Sequence, residues 1–386
     1  MTDHIHFPPA DIGIVGGGQL ARMTARAAIP LSIRLRVLAA RADDSAAQIC
    51  PDVMVGSPDD PEVLSIFVRG CQVVTFDHEL VPATALARLE DEGVCLRPSP
   101  STLAFAQDKR WQRDRLGALG FPVPPHRIVT HGQEIAAFAE AFGWPVVVKT
   151  PRGGYDGRGV WIVETPHQAD DLAARLGQSI LVEPWLPIER EVAVMVARRP
   201  SGQIVAYPVV ETVQVDGICR EVVAPAPIAS AMAAEADKLA RSIADEIALT
   251  GIMAVELFVA EGRLLINELA TRPHNSGHFS IEGCVTSQFE QHSRAVLDWP
   301  LGSTAMTAPV AVMVNILGGP NGADPRDLLP KALALDGVHV HLYGKAARPG
   351  RKLGHVTVIG DDMALARERA AQAASILTGV AVEARR

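Results

Sequence analysis

Residues 251–270 read GIMAVELFVAEGRLLINELA, two apolar runs on either side of a turn at Gly262. Two such runs joined by a short glycine turn predict an antiparallel hairpin. Glu256 and Glu268 are equally far from Gly262 in the sequence. The hairpin should therefore bring them face to face, with Cβ atoms roughly 4.5–5.5 Å apart.

Two like charges held opposite each other in apolar surroundings need a compensating charge. A hard divalent cation with oxygen ligands supplies it, and Mg²⁺ bridging a substrate phosphate is the usual case. Two alternatives stay open: the glutamates could lie on the solvated face of a half-buried sheet, or they could form a dyad for acid–base chemistry without metal. We favour a metal site with Glu256 and Glu268 as ligands, because the pair lies deep in apolar sequence.

A glycine-rich loop lies upstream, in VVVKTPRGGYDGRGV (residues 146–160). It joins a strand that ends in Lys149 to a second strand, so it is not a Walker A loop, which requires a helix after its glycines. Its backbone N–H groups could donate to phosphate oxygens, and Lys149 is a suitable point charge beside them. The glycines could instead only permit a hairpin turn. The two arginines of the loop favour phosphate binding.

Another glycine turn lies near the start of the chain, where DIGIVGGGQLA (residues 11–21) fits the G-x-G-x-x-G/A fingerprint of dinucleotide sites. Such a turn, placed before a helix N-terminus, binds anions through exposed N–H groups. Dinucleotide folds carry an acidic residue about 20 residues later, but Ala39, Ala40 and Arg41 stand there. Because an arginine could suit NADP, an NADP-dependent oxidoreductase stays open, although it leaves the lysine loop and the glutamate hairpin unexplained.

The composition bounds the class of protein. The chain has 386 residues, of which 48% are hydrophobic and 21% charged, and its formal net charge is −8. The length predicts two or three domains, and the acidic balance argues against binding to nucleic acid or to an anionic membrane. Five cysteines without a C-x-x-C pair indicate a reducing compartment. We see no signal peptide and no membrane span, so we expect a cytoplasmic protein.

The order of the elements predicts an α/β (α+β) fold. Strands alternate with helices up to about residue 100, which predicts βαβ units and a parallel sheet. The prolines of GFPVPPHR (residues 120–127) mark a boundary, and strands dominate from residue 189 onward. The tail from about residue 308 is predicted to be short strands and a final helix.

The chain resembles the ATP-grasp superfamily of carboxylate-activating ligases. Four features occur in the order typical of that superfamily: the lysine strand, the glycine hairpin, the E-P-W-L segment and the paired-glutamate hairpin. Its local sequences are closest to the N5-carboxyaminoimidazole ribonucleotide synthetases of purine biosynthesis; they are GGGQLARM, KTPRGGYDGRGVW, DGICR, GIMAVELF, LLINELATRPHNSGHFSIEGCVTSQFEQH and RPGRKLGHVTV. The resemblance implies an ATP-grasp fold with an N-terminal Rossmann-like parallel-sheet domain (1–105), a small central lid domain with the glycine-rich loop (106–187), and a C-terminal mixed-sheet domain with the hairpin and a short β-rich tail (188–386).

The resemblance also implies a reaction. ATP phosphorylates bicarbonate to carboxyphosphate, and the exocyclic amine of 5-aminoimidazole ribonucleotide captures the carboxyl group. ATP and Mg²⁺, with two ions expected, are the implied cofactors, and a homodimer is the implied assembly. The chain departs from the family at Thr212 and Gln214, where relatives often have Asn and His, and at Lys109, where the planar fork of arginine is common.

Residues that match the family's motifs take the family's roles. The anion pocket around carboxyphosphate is matched by Arg272, His274 and Asn275, and the Mg²⁺ ligands by Glu256 and Glu268. The ATP contacts are matched by Lys109, Lys149, Gly154, Tyr155, Asp156, Gly157, Arg158, Gly159, Val160, Glu183, Pro184, Trp185, Leu186, Glu191, Gln214 and Asn267, with Glu183 to Leu186 at the adenine and Glu191 at the ribose hydroxyls. The contacts to the ribonucleotide are matched by Gly18, Gln19, Leu20, Glu79, Tyr155, Arg348, Arg351 and Lys352.

The sequence offers less support for three other interpretations. A formate-dependent glycinamide ribonucleotide transformylase or a biotin-type carboxylase shares the superfamily, but the segment RPHNSGH and the short chain argue against both. A nucleotide-binding module without catalysis does not need the anion pocket. His274 and His278 have the spacing of a helical zinc pair, but the residues between them form a poor helix, so we discount zinc.

Overall fold

The computed structural model describes residues 9–154 and 157–380, and it contains seventeen strands and twelve α-helices within those ranges. The strands are β1 (Ala10–Val15), β2 (Leu35–Ala39), β3 (Asp52–Val55), β4 (Cys71–Phe76), β5 (Arg127–Val129), β6 (Val146–Lys149), β7 (Val160–Val163), β8 (Ile180–Pro184), β9 (Ile188–Arg198), β10 (Ile204–Ala206), β11 (Val210–Val215), β12 (Ile218–Ala224), β13 (Gly251–Ala260), β14 (Arg263–Ala270), β15 (Val310–Leu317), β16 (Val338–Leu342) and β17 (Lys352–Gly360). The helices are α1 (Gln19–Ala28), α2 (Pro61–Phe67), α3 (Ala83–Asp91), α4 (Pro100–Gln107), α5 (Lys109–Ala118), α6 (Gly132–Phe142), α7 (Pro166–Leu176), α8 (Ser230–Glu246), α9 (Ser280–Gly283), α10 (Gln288–Val296), α11 (Leu329–Leu333) and α12 (Met363–Thr378).

The N-terminal region is a parallel sheet in the order β3-β2-β1-β4. β1 is almost wholly buried, which explains why its sequence is a continuous apolar run rather than an alternating one. The glycine turn follows β1 directly, and α1 carries the chain back to β2. The predicted βαβ organisation is confirmed.

The central region is an antiparallel sheet in the order β5-β8-β6-β7, with α6 and α7 packed together against it. β6 and β7 are neighbours, so the glycine-rich loop between them is the connection of a hairpin, as the sequence predicts. Two residues of that loop predicted at the nucleotide, Tyr155 and Asp156, lie outside the described residues.

The largest sheet has nine strands, and every pairing in it is antiparallel rather than mixed. Its order is β14-β13-β9-β11-β12-β15-β17-β16, and β10 pairs with β9. The strands of the tail, predicted to be short, include two long ones. β15 and β17 are 8 and 9 residues long, and they extend the sheet that carries the glutamate hairpin.

The hairpin of β13 and β14 pairs Glu256 with Glu268, as predicted. The turn is shorter than expected, since only Glu261 and Gly262 lie in it, both with positive φ (50° and 69°). A two-residue turn alone would place Glu256 opposite Asn267. A bulge next to Glu256 removes Asn267 from the register and restores the pairing of the glutamates.

Across the described ranges, 9–154 and 157–380, no helix combines the length and the apolar character that crossing a bilayer requires.

Candidate active site

The paired glutamates meet a lysine that the sequence places far away. Lys109, the first residue of α5, brings its Nζ to 2.8 Å from Glu268 Oε2. The amide of Asn267 lies beside the other carboxylate, with Nδ2 at 3.5 Å from Glu256 Oε2. The bulge is what turns Asn267 to this side of the hairpin, because it interrupts the alternation of the strand.

The protonation of these carboxyl groups reflects excess negative charge. Burial raises the pKa of Glu256 to about 8, and repulsion by Glu268 and Glu191 adds to the rise. Burial also raises the pKa of Glu191 on β9 to about 7. Such a site favours a cation, because a cation is what lets the carboxyl groups ionise.

The donor set fits Mg²⁺. Oxygen ligands suit this hard ion, which usually takes one or two carboxylates and completes its shell with water and substrate phosphates. No group of three or more histidine, cysteine or acidic side chains able to enclose a metal occurs in the part of the chain that the structure describes. Glu256 and Glu268 would hold the ion from one side only.

Lys149, at the end of β6, is held by a buried pair of charges. Its Nζ lies 2.6 Å from Glu183 Oε2, and Arg113 Nε lies 2.5 Å from the other oxygen of the same carboxylate. Burial would raise the pKa of Glu183, but the two cations outweigh it and hold the pKa at about 2. Burial lowers the pKa of Lys149. The side chain of Glu183 thus positions Lys149, and the contact of this segment with adenine stays a prediction.

Lys149 also reaches the hairpin, since its Nζ donates to Asn267 Oδ1 at 3.4 Å. Asn267 therefore lies between the lysine of the central sheet and the carboxylate of Glu256. This contact joins the two features that the sequence singled out, the glycine-loop lysine and the glutamate hairpin, at one site.

The base of the glycine-rich loop is anchored to α5. The N–H of Lys109 donates to the carbonyl of Pro151 at 2.9 Å, and Asp108 accepts from Arg152 at 3.0 Å. Burial would raise the pKa of Asp108, but Arg110 and Arg152 hold it at about 2. The remaining predicted loop contacts in the described residues are Gly154, Gly157, Arg158, Gly159 and Val160, which follow Lys149 between β6 and β7.

Arg272 and His274 follow β14 and reach the same hairpin. Arg272 Nε lies 2.8 Å from Glu79 Oε1, and His274 Nε2 lies 3.2 Å from Glu256 Oε1. Burial would lower the pKa of Arg272, but Glu79 outweighs it and raises the pKa. Glu79 is thus a neighbour of the anion pocket, whereas the sequence placed it at the imidazole of the substrate.

His274 is neutral at physiological pH. Burial lowers the pKa of His274 to about 3, and the charges of Arg272 and Lys352 act in the same direction. The backbone N–H of Ser276 donates to His274 Nδ1 at 3.4 Å, and Ser276 Oγ lies 2.9 Å from it. This network assigns the proton to Nε2, which faces the carboxylate of Glu256.

The amide of Asn275 is turned to the C-terminal strands. Its Nδ2 donates to Asn315 Oδ1 at 2.9 Å, and Asn315 Nδ2 donates back to Asn275 Oδ1 at 2.8 Å. Asn315 is 3% exposed and lies on β15. This reciprocal pair fastens the anion segment to the sheet. Because the amide nitrogen carries a second N–H, the role of Asn275 as a donor to carboxyphosphate stays a prediction.

The first glycine turn already holds an anion from the chain itself. The N–H groups of Gly18 and Ala21, at the start of α1, donate to the two oxygens of Asp77 at 2.6 and 2.8 Å. The expectation that these groups are left for a substrate phosphate is corrected for Gly18. A second carboxylate or phosphate here would meet the charge of Asp77, which also argues against a dinucleotide. Leu20 is buried in the core.

The two ends of the chain meet at this turn. Lys345, in the loop after β16, donates to the side chain of Gln19. Lys352, the first residue of β17, lies close enough to Glu256 and His274 for its charge to act on both. It offsets part of the rise in the pKa of Glu256 and adds to the fall in the pKa of His274. Of the two neighbouring arginines, Arg351 donates to the carbonyl of Ala346 at 3.1 Å, and Arg348 is exposed.

The remaining predicted nucleotide contacts lie on or beside strands of the central and large sheets. Pro184 is the last residue of β8, Trp185 and Leu186 connect it to β9, and Trp185 is 51% exposed. Glu191 lies opposite Phe258 in the pairing of β9 with β13. Gln214 lies on β11, next to a bulge.

Sequence reasoning missed four residues of this site. They are Asp77, Arg113, Ser276 and Lys345. A signal existed for Ser276, two residues from a candidate histidine, but the partners of the other three are more than 50 residues distant in the chain. His278, the other half of the discounted zinc pair, is buried, and its Nδ1 accepts from Gln288 Nε2 at 2.9 Å.

Known protein families match three parts of the chain. The ribonucleotide synthetase preATP-grasp domain matches residues 10–107, and the ATP-grasp domain matches residues 114–289. The phosphoribosylaminoimidazole carboxylase C-terminal domain matches residues 311–369. The three matches are similar in extent to the parallel sheet, the ATP-binding region and the added strands of the large sheet.

Similar proteins match over nearly the full chain. The N5-carboxyaminoimidazole ribonucleotide synthase of Mycobacterium tuberculosis is 48% identical over 375 residues, which cover 95% of this chain and 87% of that protein. The crystal structure of the synthetase from Thermus thermophilus has a TM-score of 0.86 at 36% identity, covering 96% and 99% of the two chains. The Aspergillus clavatus synthase, in complex with ADP and 5-aminoimidazole ribonucleotide, has a TM-score of 0.87 at 32% identity, with the same coverage of 96% and 99%.

Proposed function

Because this chain belongs to the N5-carboxyaminoimidazole ribonucleotide synthase family, we propose that its cleft converts 5-aminoimidazole ribonucleotide to the N5-carboxy product with ATP and bicarbonate. The enzyme is an ATP-grasp ligase of purine biosynthesis. The observation that carries the proposal is the convergence of Lys149, the Glu256–Glu268 pair and the Arg272–His274 segment on one cleft.

ATP binds with its phosphates between the glycine-rich loop and the glutamate hairpin. Lys109 and Lys149 supply positive charge to the phosphates, and Asn267 fixes the spacing between them and Glu256. The adenine lies near the segment Pro184 to Leu186. Glu256 and Glu268 would hold two Mg²⁺ ions, which neutralise phosphate charge when bound.

The first chemical step joins bicarbonate to the terminal phosphate of ATP. A bicarbonate oxygen attacks the γ-phosphorus, the bond to ADP breaks, and carboxyphosphate forms. Arg272 is the fixed cation of this pocket, and its planar fork suits an anion of two or three oxygens. Because Glu79 lies 2.8 Å from Nε and a terminal N–H donates to the Pro273 carbonyl at 3.1 Å, the fork is held in orientation before the substrate arrives.

The second step transfers the carboxyl group. The exocyclic amine of the ribonucleotide attacks the carbon, the C–O bond to phosphate breaks, and the amine loses a proton. His274 enters this step as a neutral imidazole with a donor at Nε2, so we assign it to orienting an anionic oxygen rather than to carrying a positive charge. The departing phosphate is the nearest base of suitable strength for the proton.

The phosphate of the ribonucleotide is proposed to bind where the two chain ends meet. Gln19, Lys345, Arg351 and Lys352 are the candidate contacts there. Lys345 replaces the N–H groups of the glycine turn as the principal donor, because Asp77 already uses two of them.

Purified protein mixed with Mg-ATP, bicarbonate and 5-aminoimidazole ribonucleotide should form ADP at a rate that depends on all three. We expect the carboxylated ribonucleotide in equal amount. A rate of ADP formation that does not depend on the ribonucleotide would refute the proposal. Turnover with glycinamide ribonucleotide and formate would instead indicate that the enzyme is the transformylase.

A homodimer completes the proposal. A cavity of about 870 Å³ opens between α1 and β16, and exposed apolar residues surround it, among them Ile29, 74% exposed, and Ile49, 45% exposed. A second copy of the chain would cover this face. Sedimentation at micromolar concentration should give twice the mass of the chain.

A cytoplasmic location belongs to the same proposal, supported by five cysteines that all lie in the described residues as free thiols.

A further inference from the structure

Gln288, the first residue of α10, holds the backbone of His274 at both ends. The His274 N–H donates to Gln288 Oε1 at 2.9 Å, and Gln288 Nε2 donates to the His274 carbonyl at 2.8 Å. His274 has extended backbone angles (φ −130°, ψ 157°) but lies beyond the end of β14. The side-chain amide therefore supplies the two hydrogen bonds that a neighbouring strand would otherwise supply.

The amide of Gln288 is itself held firmly. The side chain is fully buried, and Nε2 also lies 2.9 Å from His278 Nδ1. The backbone N–H of Gln288 donates to Ser280 Oγ at 2.8 Å, and that hydroxyl donates to the Gly277 carbonyl at 2.6 Å. A Cβ at Gly277 would lie 2.5 Å from Gln288 Oε1, so only glycine lets the two segments approach this closely.

This arrangement acts directly on the anion pocket and is linked to the metal ligands through the pair of His274 with Glu256. His274 is directly linked to Glu256, and Arg272 lies two residues before it on the same segment. None of the contacts within the described ranges joins Gln288 to Lys149 or Asn267. A change at Gln288 should therefore displace the anion pocket far more than it weakens the binding of ATP.

We propose that Gln288 is a positioning residue that holds the segment from Arg272 to His274 in place between the formation of carboxyphosphate and the attack of the amine on it. The inference rests on the function proposed above. When the segment is displaced, water attacks carboxyphosphate and returns bicarbonate and phosphate, so ATP is consumed without product. A displacement of about 1 Å is enough to slow transfer by roughly 100-fold.

Helix α10 offers a matched control one turn later. Gln291 is also fully buried, its Nε2 donates to the Gly302 carbonyl at 2.9 Å, and its Oε1 accepts from the Gly302 N–H at 2.8 Å. The same two-pronged contact is thus made to a loop that carries no predicted site residue. Gln291→Met and Gln288→Met each remove one donor and one acceptor from half-buried backbone, and Gln288→Met also removes the contact with His278 Nδ1.

The test compares the two methionine variants for ADP released per carboxylated ribonucleotide, with labelled bicarbonate as the probe. Both variants should show similar drops in melting temperature. Gln288→Met should lower the kcat for product by about 30- to 100-fold and raise the ratio of ADP to product by about fivefold or more. Its affinity for Mg-ADP should stay within about twofold of wild type. Gln291→Met should keep the wild-type ratio of one.

Gln288→Glu is the second variant, because it keeps an acceptor for the His274 N–H and replaces the donor to the His274 carbonyl by a carboxylate oxygen. We expect intermediate uncoupling, which supports the proposal even where the methionine variant does not fold. A ratio of one in either Gln288 variant, or equal uncoupling in Gln291→Met, overturns the positioning role. If wild-type protein forms no carboxylated ribonucleotide at all, the proposed function itself fails, and that result is distinct from the others.

Discussion

Glu268→Gln is expected to reduce Mg-ATP turnover by about 10³-fold while the protein stays folded. The substitution keeps the shape of the side chain but removes the charge that a cation and Lys109 both need. Folding should not suffer, since the change also removes the repulsion between Glu268 and Glu256. Steady-state ADP formation measures the first effect, and thermal unfolding measures the second.

Glu261→Gln is the matched control for this substitution. Glu261 lies in the turn of the same hairpin with its side chain 64% exposed, and it pairs only with the equally exposed Arg263. This variant should keep wild-type turnover within about twofold, as exposed ion pairs contribute little. Wild-type turnover in Glu268→Gln would refute the assignment of the metal ligands.

Wild-type protein and Glu268→Gln should also differ in the number of protons that they release on binding the nucleotide. With a pKa of about 8, Glu256 is mostly protonated at pH 7 before the nucleotide binds, and it must ionise to serve as a ligand. Wild-type protein should therefore release a proton on binding Mg-ADP, and the release should vanish as the pH rises above 8. Glu268→Gln should release less, because one cause of the raised pKa is gone. Calorimetry in buffers of different ionisation enthalpy measures the difference.

Arg272→Ala is expected to lower product formation by about 10³-fold with little change in the affinity for Mg-ADP. Arg272 is the cation of the anion pocket, whereas the nucleotide contacts of Lys149 and Asn267 do not depend on it. Removing Arg272 also leaves Glu79 without its partner, so an anion next to it is repelled rather than attracted. Arg272→Lys keeps the charge but loses the planar fork, and we expect a loss of about 10- to 100-fold.

Arg263→Ala is the control for this second prediction. Arg263 is the first residue of β14, the strand that precedes Arg272, and its side chain is 70% exposed. Product formation should stay close to wild type. A loss of Mg-ADP affinity in Arg272→Ala as large as the loss of product formation would show that Arg272 binds the nucleotide, contrary to the assignment. Product assays and nucleotide titration on the same preparations separate the two outcomes.

The glutamate hairpin could be predicted because its pairing is a local property. Two apolar runs and a glycine turn specify an antiparallel pair, and the distance to the turn specifies which residues face each other. The prediction placed Gly262 at the centre, whereas the real turn has two residues and a bulge corrects the register. The bulge matters for the site, because it places Asn267 between Lys149 and Glu256.

The first glycine turn shows where local patterns fail. Its strand, turn and helix form as predicted, since these depend on neighbouring residues. Which anion it holds depends on Asp77, 56 to 59 residues away, at the end of another strand of the same sheet. The fingerprint predicts a binding geometry, but a side chain of the protein itself occupies that geometry.

The difference between what local sequence predicts and what tertiary structure decides is also seen at Glu183, at Asn275 and in the C-terminal tail. Short-range pattern and motif order were sufficient for the strands, the hairpin, the candidate ligands and the family, because strand pairing across a turn and helix periodicity are decided by adjacent residues. The partners of the buried polar groups depend on how distant segments pack together. Glu183 pairs with Arg113, and Asn275 forms hydrogen bonds with Asn315. In the same way, β15 pairs with β12 in the large sheet. The physical reason is that a buried charge or amide must find a partner wherever the folded chain supplies one, and that partner is set by three-dimensional proximity rather than by spacing along the sequence.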